Sequence, residues 1–247
     1  MGTLANSSVT ASTQLNVLIS GGFQGAYEQL LPEFERSSGI KVTTGSGASQ
    51  GTGPQTIAAQ LARGVPADVV ILSREGLDAL IASSWIAAGT DVDLGRVPIG
   101  VAVRAMAPKP DVRTVESFKQ ALLQARTVAV PGSTSGIWLT TNVFPRLGIA
   151  ERINVKVVPR GTDATGMLAR GDADLAVLPI SEIASAAGVD FAGAIAAEIQ
   201  LIQVFSAAVV AGSKALEGSK RLIDFLASAR ASEAMRNCGV EPLASPG

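Results

Sequence analysis

The sequence predicts an α/β fold of two lobes with a ligand cleft between them, and two observations carry that reading. Short apolar strands alternate with helical stretches along the chain, the pattern of open sheets covered by helices on both faces. Four Gly/Ser/Thr-rich turns, at residues 20–23, 45–53, 131–136 and 160–165, each join a strand end to a helix start. Such a turn presents free N–H groups and hydroxyls at the positive end of a helix, where an anion is stabilised. Ligands of open α/β sheets sit outside the carboxyl ends of the strands. Two turns belong to each half of the chain, so a geometry that uses all four is a cleft with one half on each side.

The elements follow in order. Residues 1–13, rich in Ser, Thr, Ala and Asn, read as a frayed tail. Residues 15–19 form a short buried strand. The spacing of Ala26, Leu30 and Phe34 predicts a helix over 23–38, stopped by Gly39 at a left-handed cap position. A strand at 40–44 leads into the long glycine turn, then a helix at 55–63 closed by Gly64. The continuous apolar run at 67–72 reads as a parallel strand covered on both faces, and 77–85 as a helix. The second half repeats the alternation, with strands at 98–104, 127–130, 155–158 and 175–178. Its helices fall at 115–124, 138–147 (closed by Gly148) and 164–169 (closed by Gly171). A late strand at 206–210 precedes a mostly helical segment, 214–237.

Composition narrows the function. Of 247 residues, 47% are apolar and 17% charged, which is a globular balance. The formal net charge is -1 and no Lys/Arg run occurs, so no nucleic-acid partner is expected. There is no histidine, which removes the commonest general base and the commonest zinc ligand. Cys238 is the only cysteine and reads as a small apolar residue near a helix end. Neither a cofactor nor a metal site is expected, and the chain reads as a monomer. No apolar run is long enough for membrane insertion. Residues 1–14 carry no signal-peptide pattern, so the expected location is periplasmic if a signal peptide was removed and cytoplasmic otherwise.

The ligand-binding candidates come from the turns: Ser20, Gly21, Gly22 and Phe23; Ser49, Thr52 and Gly53; Ser135, Gly136 and Ile137; Thr162 and Ala164. A hydroxyl here can also be an ordinary helix cap, and at a cleft edge the two roles are compatible. Phe23 reads either as a staple on its own helix or as a lid on the ligand. Arg74, directly after the third strand, and Arg160, opening the fourth turn, are the arginine candidates, because a guanidinium matches a carboxylate bidentately. Each reads equally as a solvated surface charge. If the protein does chemistry, a carboxylate among Glu75, Asp163 and Glu182 could move a proton, or a hydroxyl such as Ser20 or Ser135 could serve.

A family resemblance adds to this. Residues 39–42, the following glycine/serine turn, and 62–69 (Ala-Arg-Gly-Val-Pro-Ala-Asp-Val) are the specific part. Residues 100–104 with 108–111, 146–149 with 169–175, and 222–228 with 239–242 extend it over nearly the whole chain. The string resembles the type II periplasmic-binding-protein superfamily, near the molybdate-binding proteins of ABC importers. That resemblance implies two lobes of open mixed sheets, a hinge of two crossovers, a small anionic ligand and an ABC-importer membrane component as partner. The lobes would be 14–100 plus 205–247, and 101–204. At the molybdate-contact positions the chain differs: the first-turn serine falls near Gly22, the second near Gly53 or Pro54, and the late tyrosine at Pro179. These departures favour an organic di- or tricarboxylate over molybdate. Residues 20–23, 135–139 with 144–149, and 180–183 are similar to a branch of the superfamily that includes aconitate isomerase, which implies an allylic proton shift on a polycarboxylate as the alternative to simple binding.

Overall fold

A computed structural model describes residues 14–243; the frayed tail expected at 1–13 lies outside the described residues. The chain runs β1 (Gln14–Ile19), α1 (Gly21–Ser38), β2 (Lys41–Ser46), α2 (Ile57–Ala62), β3 (Val69–Ser73), α3 (Arg74–Ala82) and β4 (Val92–Arg104). It continues through α4 (Val115–Gln124), β5 (Val128–Pro131), α5 (Thr134–Trp138), a π-helical turn (Leu139–Val143), α6 (Phe144–Arg146), β6 (Val155–Val158), α7 (Gly161–Arg170), β7 (Leu175–Pro179) and α8 (Ile180–Ala184). The last elements are β8 (Val189–Ala194), β9 (Ile202–Val209), α9 (Leu216–Ala227), α10 (Ser232–Asn237) and β10 (Glu241–Pro242).

The strands order as β2-β1-β3-β9-β4-β7-β5-β6, with β8 and β10 pairing along β4. β1, β2 and β3 are parallel, as are β5, β6 and β7. β9 and β4 run antiparallel to their neighbours, which makes the whole arrangement mixed. The apolar run of β3 is fully buried along its length, as a strand between two helix layers must be. Gly39 ends α1 at φ 72°, its N–H donating to the Glu35 carbonyl, so the cap uses the left-handed backbone that glycine adopts without cost.

β4 is the element that joins the two halves. Its first residues, Val92 to Pro98, pair with β9, and its last, Ile99 to Arg104, with β7 and β8. The cores divide at the same place. Leu15, Ile71, Leu94, Val97 and Phe205 belong to one cluster, and Ile99, Val101, Phe118, Val177 and Ile199 to another. The Gln200 side chain clamps the crossing. Its Oε1 accepts from the N–H groups of Ile99 (2.7 Å) and Leu201 (3.1 Å), and its Nε2 donates to the carbonyls of Ile99 (3.0 Å) and Ile195 (3.1 Å). We propose that the lobes comprise 14–100 with 205–247, and 101–204, with their hinge at this crossing.

Among the elements that differ from the sequence expectation are β4, β8 and α8. β4 begins six residues before the expected start, because Leu94 and Val97 point inward while Asp93 and Arg96 point out, a half-buried alternation that replaces an apolar run. β8 and α8 were not expected. β8 is short and has no fully buried residue, and α8 has five residues and opens directly from Pro179.

Removing the Gln200 clamp orphans the buried N–H of Ile99. Gln200→Leu is expected to lower the unfolding free energy by about 1–3 kcal/mol, read as a reduced urea midpoint with an unchanged m-value.

Candidate functional site

The four turns converge on one cleft. It is lined from one lobe by Ser20, Gly21, Gly22, Ala48, Ser49 and Phe205, and from the other by Ser133, Ser135, Arg160, Gly161, Pro179 and Glu182. Each turn is built by local hydrogen bonds that leave polar groups facing inward. Ser20 precedes α1, and its N–H donates to the Ile71 carbonyl (2.8 Å), tying the turn to β3. Its hydroxyl makes no capping bond, and Ser20 Oγ is buried without a partner. Ser49 Oγ accepts from the Ser73 N–H (3.0 Å), which holds the second turn over β3. The Gly132 N–H donates to the Val158 carbonyl (2.6 Å), which aligns the third turn with the fourth. The Arg160 N–H donates to Asp163 Oδ2 (3.1 Å), so Asp163 is a capping residue of α7.

The lobes meet across this cleft. Ser73 Oγ and Thr134 Oγ1 share a buried hydrogen bond of 2.8 Å. Arg160 Nη1 donates to Ser46 Oγ (2.8 Å), Ser181 Oγ to the Gly22 carbonyl (2.6 Å), and the Gln50 N–H to Ser133 Oγ (3.4 Å). The cavity is about 30 Å³, the volume of roughly one water.

Glu182 is the unusual group. It comes from the first turn of α8 and its carboxyl lies between the backbones of Gly21 and Gly161. A Cβ at either glycine would overlap Glu182 Oε2, so both positions need the missing side chain for the carboxyl to fit. Among the described residues, that carboxyl makes no hydrogen bond to the protein. Burial pushes the Glu182 pKa up to about 7, against the pull of the Arg160 guanidinium. The residue keeps partial solvent exposure.

The sequence candidates divide clearly by place. Ser20, Gly21, Gly22, Ser49, Ser135, Arg160 and Glu182 line the cleft. Phe23 does not: it is fully buried in the core of its own lobe, as its place on the apolar face of α1 dictates. Arg74 is turned to the outside, where it pairs with Asp78 (3.4 Å), Asp91 (2.9 Å) and Asp93. Burial raises the Asp93 pKa, but the Ser206 hydroxyl and the Arg74 guanidinium more than offset it and hold the carboxylate below its ordinary value. Thr52 and Gly53 are exposed at the tip of the long turn, Glu75 is exposed on α3, and Ile137 is 38% exposed. Thr162 faces a second cavity outside the cleft, and Ala164 is buried on the inner face of α7. Gly136 packs its backbone on the Pro131 carbonyl, a structural role that leaves no room for a side chain.

Two cleft residues escaped the sequence reading. Gln203 is 3% exposed, and its Oε1 is buried without a partner. Phe205 packs its ring against Gly22, where any Cβ would overlap it. Both belong to β9, and the only available signal was their position on a strand that crosses between lobes.

A two-lobed α/β protein with an anion cleft at the strand ends is the architecture of a periplasmic solute-binding protein. The chain belongs to the bacterial extracellular solute-binding protein family, whose model matches residues 15–241. It is 37% identical to an aconitate isomerase from Pseudomonas sp over 232 residues, 94% of this chain and 88% of that one. The fold is also that of the periplasmic molybdate-binding protein of Azotobacter vinelandii (TM-score 0.69, 20% identity, covering 92% of this chain and 98% of that chain). The sulfate-binding protein of Mycobacterium tuberculosis superposes with a TM-score of 0.75 at 21% identity, covering 94% of this chain and 88% of that chain. No helix among the described residues is long and apolar enough to cross a membrane.

The Glu182 environment sets a sign for stability against pH. Its folded pKa lies above the ordinary 4.5, so the folded state holds the extra proton between those values. That contribution is fully present below the unfolded pKa and is lost as pH rises through about 7. Urea unfolding at a series of pH values is expected to show this decline, and Glu182→Gln is expected to remove it.

Proposed function

We propose that this protein binds a small polycarboxylate between its lobes and catalyses an allylic proton shift within it, in the manner of an aconitate isomerase. The observation that carries this reading is the Glu182 carboxyl inside a cleft otherwise built from anion-stabilising groups. A site that only held an anion would gain nothing from a second carboxyl, which repels the ligand when ionised. A proton-transfer site requires one, with a pKa close to the working pH.

The residues divide the work as follows. Arg160 and the N-termini of α1 and α7 hold the substrate carboxylates. Glu182 takes a proton from the substrate methylene. The C–H electron pair forms the new double bond, and the old double-bond pair takes a proton from the Glu182 acid at the far carbon. The negative charge that develops on the substrate is met by the Ser20 hydroxyl and the N–H groups of Gly21 and Gly22. Closure of the lobes removes water while the charge is present.

The test is incubation with cis-aconitate and detection of the trans isomer. Glu182→Gln is expected to lower turnover by about 10²–10⁴-fold while keeping substrate affinity, the signature of a lost acid–base group. For the wild type, kcat/KM is expected to fall as pH drops through about 7, because the base is then protonated. Absence of turnover at high enzyme concentration would sink this reading.

A second reading, favoured by membership of a solute-binding family, is that the protein delivers a carboxylate to an ABC importer after export to the periplasm. Thermal-shift screening separates ligands under either reading. A di- or tricarboxylate at a hundredfold excess over its dissociation constant is expected to stabilise the fold by roughly 3 kcal/mol, and at that same concentration molybdate or sulfate by less. Molybdate giving the largest shift would refute the carboxylate assignment.

A further inference from the structure

Glu182 is shared by two cavities. Its inner side faces the cleft of about 30 Å³, and its outer side faces a second cavity of about 320 Å³ between α1, α7 and α8. Gln24, Glu28, Thr162, Gly166 and Ser185 line the outer one. Glu28, Thr162 and Ser185 are exposed, so this cavity opens to solvent. Polar groups stand along its mixed wall: the Thr162 and Thr165 side chains on α7, Ser185 just after α8, and the Gln24–Glu28 pair on α1 (2.6 Å). Several waters fit there, whereas the narrow cleft holds about one.

We propose that Glu182 exchanges its proton with solvent through this outer cavity while the cleft stays shut. The inference rests on the reading that Glu182 moves the proton. The balance is simple. The substrate C–H proton passes to the Glu182 carboxylate, leaves as a solvent proton through the outer cavity, and is replaced there by another. The replacement is then given to the far carbon, so the product carries hydrogen from water. The wall between substrate and solvent is thus the titrating group itself, held in place by the two glycines. Of the charged groups lining the two cavities with Glu182, Arg160 lies on the inner side and Glu28 on the outer. Arg160 favours the ionised form, against the larger effect of burial.

The route can be read without turnover. The Ser73 and Thr134 hydroxyls lie 2.8 Å apart across the cleft, so Ser73→Cys with Thr134→Cys places two thiols where oxidation locks the lobes together. Glu182→Cys in that locked protein is then treated with methyl methanethiosulfonate, with the buried Cys238 as background. The thiol at position 182 is expected to react in the locked protein. Adding Gly166→Leu or Gln24→Trp, which fill the outer cavity, is expected to reduce labelling to that background. Either plug suffices if the other fails to fold. No reaction in the locked protein, or reaction that neither plug slows, overturns the proposal. Turnover of cis-aconitate by the wild type in D₂O gives a second reading: solvent deuterium in the returned position is expected, and its absence in an active enzyme overturns the route. A protein that labels as expected but turns nothing over refutes the isomerase reading and leaves the solvent path intact, so the two failures are distinct.

Discussion

One strand running unbroken through both lobes is the constraint on which the rest of this structure depends. β4 carries the antiparallel pairing of β9 on its first part and of β7 and β8 on its second. Because the chain crosses as paired strands and not as a loose linker, the sheet ends of the two lobes face each other in a fixed direction. The Gln200 amide fastens the crossing to the backbone of Ile99 and Ile195. The partner strands change between Pro98 and Ile99, the place proposed for bending. That is the geometry of a hinge, in which a few backbone angles absorb the movement and the packed cores on either side do not.

What closes on that hinge is a balance of charge. The turns supply partial positive charge through helix ends, and Arg160 supplies a full one. Into the same space the fold inserts a carboxyl with no protein donor to support it. Such a group is costly when ionised, and it settles the cost by holding its proton to near neutral pH. Ser20 and Gln203, buried with unpartnered oxygens, add polar groups that gain a partner only when something occupies the cleft. A scaffold for holding an anion needs few changes to become one that moves a proton, since closure, water exclusion and charge stabilisation are already in place. Family membership alone does not choose between these uses.

Much of this was legible in the chain. The glycine turns, their strand-end positions and the division into two halves follow from local pattern, because turn chemistry and apolar runs act within a few residues. Ser20, Ser49, Ser135 and Arg160 were recognisable as cleft residues for that reason. Arg74 looked equally suitable from its position after β3, yet Asp78, Asp91 and Asp93 draw it outward. Two of those partners are 17 and 19 residues away, and their pairing depends on where β4 begins.

The sequence by itself determined the class of fold, the sites where a small anion can be held, and the lack of histidine that limits acid–base work to carboxyls and hydroxyls. The tertiary structure decided which carboxyl faces the cleft. Glu75, Asp163 and Glu182 are equivalent as letters near turns. Glu75 is a surface charge on α3 and Asp163 a local helix cap, while the packing of α8 against α1 and α7 makes Glu182 a half-buried acid between two glycines. The physical reason is that an ionisable group takes its properties from the atoms around it, and here those atoms come from segments more than a hundred residues apart.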